Sequence, residues 1–172
     1  EAVYCKTDSH WSGSGCVTAA QTVAEKLRDM PKTSAVRPNA AWQEATFRGD
    51  LIELSGRKDI SQETLRVRSV SNRDASITPD PSSPLLVIGD SHVLVFHDFL
   101  AERAGLPDQL AQETGIVPDW IGTRGSGANA VRLSLLRRNI KDPSYLASKK
   151  VVLWCFASRE FTEAEEGWQK IP

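Results

Sequence analysis

The chain has no excess of charge of either sign. Its 21 lysines and arginines nearly balance its 22 aspartates and glutamates, so its composition favours neither nucleic acid nor an acidic surface as a partner. It has no apolar run long enough to span a membrane and no visible signal peptide. Because the chain begins at Glu1 without a methionine, we expect a piece of a longer protein whose upstream part, with any targeting segment, is missing.

Cysteine is scarce, and the three cysteines have no CxxC spacing, which argues against a structural zinc site. A disulfide between Cys5 and Cys16 would clamp the loop between them and would suit an oxidising compartment. The alternative is that Cys16 and Cys155 are small buried hydrophobic residues in a helix and a strand. The second interpretation is favoured because free cysteine is so often buried.

The length of 172 residues, with 40% apolar and 25% charged residues, is typical of one soluble globular domain with its own core. Two continuous apolar runs, residues 85–88 and 151–156, predict buried strands of a parallel sheet. A shorter strand is predicted at residues 119–121. Because these strands alternate with helical patterns, the sequence predicts an α/β fold with a mostly parallel sheet.

Apolar spacing and turn residues place the remaining elements. The first predicted helix begins at Ser12 or Ser14 and runs to about Asp29. Further helices are predicted at residues 50–54, 93–104, 110–113 and 128–138. Gly105 is expected to close the helix at residues 93–104, and the arginines of the last helix are expected to face outward. Residues 3–5 are expected to end a short strand, and residues 56–84 are expected to form a loop or edge strand over the surface. Trp42, Trp120 and Trp154 are expected in the core.

Two short polar motifs carry the candidate chemistry. In the first, Asp8 and His10 are two residues apart and project to the same side if the backbone is extended. In the second, the apolar run ends at Gly89 and presents Ser91 on the turn before a helix, at the edge where α/β sheets gather their ligands. Together they supply a hydroxyl, a base and an orienting acid, the groups that nucleophilic acyl transfer requires. The alternative is that Asp90 or Ser91 only caps the helix, and that Asp8 and His10 are surface residues.

The other candidates are weaker. Trp11 is a candidate wall of a sugar-binding cleft. Arg124 and Asn129, in and after a glycine-rich segment, are candidates to hydrogen-bond an acyl oxygen, although a flexible loop is the alternative. That segment lacks a P-loop lysine, which argues against nucleotide binding. A metal site formed by Asp8, His10 and His92 is an alternative that no acidic or cysteine cluster completes, so we expect neither metal nor cofactor.

Taken together, these motifs resemble the SGNH-hydrolase-like domain of the alginate O-acetyltransferase family, the AlgJ and AlgX type. The resemblance rests on five landmarks in the family's order, which are residues 7–11, Ser12 with Gly15, residues 49–51, residues 88–91 and residues 151–161. It implies a three-layer SGNH fold in which Ser91 is the acyl-accepting nucleophile, His10 the general base and Asp8 the residue that orients His10. Arg124 corresponds by loop position to a substrate-contacting arginine. The order, with acid and base ahead of the serine, is characteristic of this family.

The resemblance implies a periplasmic enzyme that acetylates hydroxyls of an exported polysaccharide, and it allows an anchor in the inner membrane through the missing upstream segment. The acetyl donor would be passed on by a membrane acetyltransferase partner. Two alternatives stay open, a carbohydrate acetylesterase of the SGNH type and a non-catalytic polysaccharide-binding component of the export machinery. The residue after the serine, His92, differs from the better-known members, which indicates a different subgroup.

Overall fold

The computed structural model describes residues 2–32, 38–72, 75–125, 127–162, 167–168 and 170–171. Within them the helices and strands follow one another in the order α1 (Gly13–Lys26), β1 (Asn39–Phe47), α2 (Asp50–Ser55), β2 (Glu63–Ser71), β3 (Leu85–Gly89), α3 (Ser91–Leu94), α4 (Leu106–Thr114), β4 (Asp119–Gly122), α5 (Gly127–Lys141), β5 (Val151–Cys155) and α6 (Arg159–Thr162). A single turn of 3-10 helix, Leu146–Ser148, precedes β5.

A parallel sheet of three strands, in the order β4-β3-β5, organises the molecule. All five residues of its middle strand are buried, as their continuous apolar sequence requires. Leu85 and Val87 face a core shared with α1 and α4, and Leu86 and Ile88 face a second core shared with α5. The sheet therefore has helices on both faces, which confirms the predicted α/β fold.

The carboxyl edge of this sheet positions the candidate site. In the register of the three strands, Gly89 pairs with Gly122 on one side and with Cys155 on the other. The loops that leave these three residues therefore emerge together at one edge. Such an edge is where open α/β sheets bind their ligands.

A two-stranded antiparallel sheet of β1 and β2 lies outside this frame, and the sequence did not predict it. Residues 39–47 were not assigned a strand, and residues 63–71 fall in the segment that we expected to be a loop or edge strand. The signal is weak because few positions of either strand are buried, so apolar and polar residues do not alternate clearly. The connection also contains α2 instead of a tight turn, so no hairpin motif marks the pair.

The helix predicted at residues 93–104 is wrong. α3 ends at Leu94, and the backbone is left-handed at Phe96, Leu100 and Arg103, with φ of 62° to 64°. A left-handed residue interrupts an α-helix. The irregular segment is nevertheless well packed, because Phe96 is fully buried in a core with the β1–β2 pair. Gly105 does not close a helix. It is the N-cap of α4, and its backbone N–H donates a hydrogen bond to the Asp108 carboxylate.

Smaller predictions also need correction. Residues 3–5 form no strand but a single antiparallel bridge between Tyr4 and Trp11. α1 is confirmed with Ser12 as its N-cap, although it ends at Lys26. β5 is only partly buried, with Val152 47% exposed, and Trp42 is on the surface. Arg138 turns inward, where it donates hydrogen bonds to the buried Asp119 carboxylate.

Candidate active site

Asp8 and His10 form a buried pair in the loop that precedes α1. The Asp8 Oδ1 atom lies 2.6 Å from His10 Nδ1 and also accepts a hydrogen bond from the His10 backbone N–H at 3.0 Å. The other oxygen, Oδ2, accepts a hydrogen bond from the backbone N–H of Asp50 at the start of α2. Both oxygens of the carboxylate therefore accept from groups that hold the histidine loop in place.

Ser91 lies on the turn between β3 and α3, and its Oγ atom is 2.7 Å from His10 Nε2. Because a carboxylate only accepts hydrogen bonds, the Nδ1 proton of His10 points at Asp8, which leaves Nε2 to accept from the serine hydroxyl. Ser91 follows His10 by 81 residues in the chain, and the fold brings it into one hydrogen-bonded line with His10 and Asp8. Asp8, His10 and Ser91 are only 3%, 7% and 8% exposed.

The electrostatics of Asp8 favour its ionised form. Burial raises the pKa of the carboxyl, but hydrogen bonds from the His10 side chain and from the backbone N–H groups of Asp50 and His10 lower it by more. The net pKa lies below the ordinary value for an aspartate. An ionised carboxylate against Nδ1 fixes the tautomer of the imidazole and stabilises an imidazolium when Nε2 takes a proton.

The three groups open onto a cleft of about 510 Å³. Besides Asp8, His10 and Ser91, its walls include three arginines and two further acidic residues: Arg48, Arg124, Arg159, Asp50 and Glu53. A volume of this order suits one or two small ligand groups. The cleft is thus a polar opening with the buried side chains of Ser91, His10 and Asp8 at its floor.

Of the other candidate residues from the sequence, only Arg124 lines this cleft. Its guanidinium lies 4.0 Å from the centre of the Phe99 ring, and Phe99 in turn packs edge-on against His10 at 5.6 Å. Trp11 does not border the cleft; its ring packs with both larger cores and edge-on against His92. Asn129 lies on α5, also away from the residues that line the cleft, and its side-chain oxygen accepts from Arg132.

Two aspartates support the site, and neither of them was assigned a role in the chemistry from the sequence. Asp50 accepts hydrogen bonds from the Ser9 N–H and hydroxyl at 2.7 and 2.6 Å, which holds the loop between Asp8 and His10. Asp90 caps α3 and accepts from the backbone N–H of Ala157, which ties the serine turn to the end of β5. Asp50 and Asp90 both lie in motifs that carry the family resemblance, residues 49–51 and 88–91. This resemblance is the signal in the sequence that pointed to their place near the site.

Ligand atoms of Asp8, His10 and Asp50 lie within 4.8 Å of one another, close enough to share a metal ion. The hydrogen bonds of the site, however, already engage these ligand atoms. Both Asp8 oxygens and both Asp50 oxygens already accept from protein donors, and His10 Nε2 faces the serine. The group therefore fits an acid–base relay, and His92 is not part of it.

Cys5, Cys16 and Cys155 are free thiols. Cys16 is completely buried in the core under α1, as the favoured interpretation predicted. The Cys5 thiol donates to the carbonyl oxygen of Trp11 at 3.3 Å, and no bond joins it to Cys16. Burial raises the pKa of both Cys5 and Cys155 to about 12, so neither is a reactive thiolate at neutral pH.

Two solved structures resemble the fold over most of this chain. The O-acetyltransferase domain of Pseudomonas putida AlgJ matches with a TM-score of 0.65 and 21% identity, over 91% of this chain and 53% of that one. Pseudomonas aeruginosa AlgX matches with a TM-score of 0.62 and 17% identity, over 90% of this chain and 35% of that one. The chain thus spans about half or less of the length of either protein. No curated protein sequence matches it significantly.

The sequence as a whole agrees with one protein family. The model of the family described as "SGNH hydrolase-like domain, acetyltransferase AlgX" matches residues 1–157, which is most of the chain and includes Asp8, His10 and Ser91. No helix among the described residues is both long and apolar enough to cross a membrane. The chain belongs to the AlgX family of SGNH-hydrolase-like acetyltransferase domains.

Proposed function

We propose that this protein is an O-acetyltransferase that transfers an acetyl group to hydroxyls of an exported polysaccharide through an acetyl-serine. The observation that carries the proposal is the hydrogen-bonded line from Asp8 through His10 to Ser91 at the floor of an open cleft. Membership of an acetyltransferase family supports the acetyl group as the acyl group transferred. The roles are Ser91 as nucleophile, His10 as general base and acid, and Asp8 as the residue that orients His10.

The proposed reaction has two steps, acetylation of Ser91 and transfer of the acetyl group to the sugar. In the first, Ser91 Oγ attacks the carbonyl carbon of the acetyl donor while His10 Nε2 takes the hydroxyl proton; the bond to the leaving group then breaks, and His10 returns the proton to that group. In the second, the oxygen of a sugar hydroxyl attacks the acetyl carbon of the acetyl-serine while His10 Nε2 takes the hydroxyl proton; the bond between that carbon and Ser91 Oγ then breaks, and His10 returns the proton to Oγ. Asp8 stabilises the imidazolium in both steps.

Stabilisation of the oxyanion falls to groups beside Ser91. The Ser91 N–H is in the first turn of α3, where helical N–H groups have no partner within the helix. We assign it as one donor to the acetyl oxygen. Arg124, held over the Phe99 ring next to His10, is the proposed contact with the acceptor sugar. Asn129 and Trp11 are not included, because neither borders the cleft.

The cleft has as many acidic as arginine side chains, but the carboxylates of Asp8 and Asp50 already accept hydrogen bonds from the protein. On the strength of its arginines, we propose that the acceptor is an acidic polysaccharide. Arg48, Arg124 and Arg159 all border the cleft, and an arginine fork pairs well with the carboxylate of a uronic acid. An alginate-like polymer has that carboxylate on each sugar. We further propose a periplasmic location and a membrane acetyltransferase partner that delivers the acetyl group, as for an enzyme that modifies a polymer during export.

The alternative chemistry is hydrolysis of a carbohydrate acetyl ester, in which water replaces the sugar hydroxyl. The same three residues would serve both reactions. The observation that favours it is the openness of the site to solvent, since Arg48 and Arg159 at its rim are exposed. Transfer and hydrolysis are separated by the product formed when an acceptor oligosaccharide competes with water.

The test is acetyl transfer from a chromogenic acetyl ester to mannuronate oligomers, followed by mass spectrometry of both protein and sugar. We expect acetylated oligomers and an acetyl group on Ser91, and a loss of turnover by roughly 10⁴-fold or more in Ser91→Ala. Ser144→Ala is the matched control, because the Ser144 hydroxyl also donates to an aspartate, Asp142, but lies on the surface and does not line the cleft. Equal turnover in wild type and Ser91→Ala would refute the proposal, and release of free acetate alone would favour the esterase.

A further inference from the structure

A second concave surface adjoins the candidate active site, and two exposed aromatic side chains line it. It consists of two depressions of about 540 and 350 Å³ that share Ser14 and Arg66. Tyr4 borders the first and is 63% exposed, and Trp42 borders the second and is 40% exposed. We call this surface, between the N-terminal segment, the start of α1 and the β1–β2 pair, the hairpin groove.

The aromatic rings of this groove are not explained by packing. The sequence predicted Trp42 in the core, yet its strand position faces outward and its indole is open to solvent. The Arg66 guanidinium lies 5.4 Å from the centre of that ring. A flat aromatic face with an adjacent polar handle is a typical recognition surface for amphipathic ligands.

The charges of the groove suit an anion. Its charged lining residues are Lys6, Glu63 and Arg66. The Glu63 carboxylate is occupied, because it accepts hydrogen bonds from the backbone N–H groups of Lys6 and Thr7 and from the Thr7 hydroxyl. With two cationic side chains and this one carboxylate, the groove has a net positive charge, and its carboxylate already holds protein donors. Hydroxyl and amide side chains complete the wall: Ser12, Ser14, Thr18, Ser61, Gln62 and Thr64.

The groove is continuous with the catalytic loop. Lys6 and Thr7 line the groove, and the next two residues, Asp8 and Ser9, line the cleft. Arg48, at the rim of the cleft, donates hydrogen bonds to the carbonyl oxygens of Arg57 and Ile60, and Ile60 borders the groove. The groove and the cleft therefore share the wall formed by residues 6–9.

We propose that the hairpin groove is a second binding site for the acidic polysaccharide, in which sugar rings stack on Trp42 and Tyr4 and a uronate carboxylate pairs with Arg66. This inference rests on the proposed function for the identity of the polymer. It adds a site that holds the chain several sugars away from the sugar being acetylated. Arg66 supplies the charge selectivity and the aromatic rings supply affinity for the sugar faces.

The test is affinity electrophoresis of the Ser91→Ala protein in native gels that contain polymannuronate or, separately, neutral hydroxyethylcellulose. We expect retardation by polymannuronate that is about tenfold weaker in Trp42→Ala and in Arg66→Gln, about 1.4 kcal/mol of binding, and largely restored in Trp42→Phe. Added salt should weaken the Arg66 contribution. Ile140→Ala, which removes an exposed apolar side chain from α5, outside the groove, is the matched control. Thermal melting of each variant verifies the fold.

Three results would overturn the inference. These are no retardation of the parent protein by polymannuronate, equal retardation of Trp42→Ala and the parent, and equal retardation in both polymers. The binding assay does not use Ser91, so it reports on the groove whether or not Ser91 takes an acetyl group. The ester assay of the previous section reports on Ser91 whether or not the groove binds polymer, and the two failures are therefore distinguishable.

Discussion

The tripeptide Asp-Ser-His occurs twice in this chain, at residues 8–10 and 90–92, and the two copies have nearly the same local geometry. In each, one aspartate oxygen faces the backbone N–H and the Nδ1 atom of the histidine, at 3.0 and 2.6 Å in the first copy and at 2.9 and 3.0 Å in the second. In each, the second oxygen accepts a distant backbone N–H, that of Asp50 or of Ala157. The tripeptide alone thus produces a clamped Asp–His pair.

The two copies differ in what surrounds them. His10 Nε2 reaches the Ser91 hydroxyl, whereas the His92 ring lies behind His10, with ring centres 4.8 Å apart, and packs against Trp11. Ser9 donates to Asp50, whereas Ser91 faces the cleft. The first copy therefore provides the proposed acid and base, and the second provides the proposed nucleophile. The fold assigns these roles, because only the second copy follows a buried central strand.

The largest expected difference between the copies is in the two histidines. His10→Ala removes the proposed base, and we expect turnover of a chromogenic acetyl ester to fall roughly 10⁴-fold or more. His92→Ala removes a ring that touches neither Ser91 nor the cleft, and we expect a loss of about tenfold or less from looser packing of His10. Steady-state kinetics of the two variants, with melting curves to verify folding, decide the comparison. If His92→Ala were as inactive as His10→Ala, the assignment of the base would be wrong.

The two aspartates are expected to differ in kind. In Asp8→Asn, the amide is expected to turn its NH2 group toward His10 and reverse the tautomer, which should lower turnover roughly 10³- to 10⁴-fold. In Asp90→Asn, one amide face must meet a donor, either His92 or the Ala157 N–H, which should cost about 1–3 kcal/mol of unfolding free energy with turnover changed only a few-fold. Urea unfolding and ester kinetics on both variants measure the two effects. A selective loss of turnover in Asp90→Asn would contradict the separation of roles.

The two Asp-Ser-His copies could be recognised in the sequence, but the contact between them could not. The Asp8–His10 pair is a local feature of two residues, and Ser91 is marked by the apolar run before it, so all three could be named as candidates from the sequence. Their convergence depends on the packing of β3 against the loop before α1, and no short-range pattern encodes that contact. The expectation that the three groups meet came instead from the resemblance to a family with these motifs in the same order. Trp11, adjacent to His10, was misplaced because adjacent residues on an irregular backbone face different ways.

The misread regions share a physical cause. β1 and β2 satisfy each other's backbone hydrogen bonds while most of their side chains face solvent, so burial leaves little periodicity in their sequence. Residues 95–104 contain the apolar spacing of a helix, but they use it to fill a core through left-handed turns at Phe96, Leu100 and Arg103. Composition indicates that such residues are buried, and only tertiary packing determines the backbone that buries them.

The smallest expected difference concerns acid stability, in which the two copies should behave alike. Burial raises the pKa of Asp90, and hydrogen bonds from the His92 side chain and from the backbone N–H groups of His92 and Ala157 lower it by more; the same balance lowers the pKa of Asp8. A carboxyl whose pKa is lower in the folded state stabilises the fold above its unfolded pKa, about 3.9, and loses that contribution as the pH falls through the folded value.

The stability gap between wild type and either asparagine variant should therefore be widest near neutral pH and should narrow below about pH 4. Urea unfolding at about pH 7 and about pH 3 measures it. Asp59→Asn is the control, because Asp59 has a lowered pKa from its Arg57 partner but lies on the surface, where water screens the pair and the gap should be too small to resolve. A gap that stayed constant with pH for Asp90→Asn would mean that its carboxylate acts only through the shape of the cap. The same result for Asp8→Asn would remove the charge from the proposed orienting role and leave only its geometry.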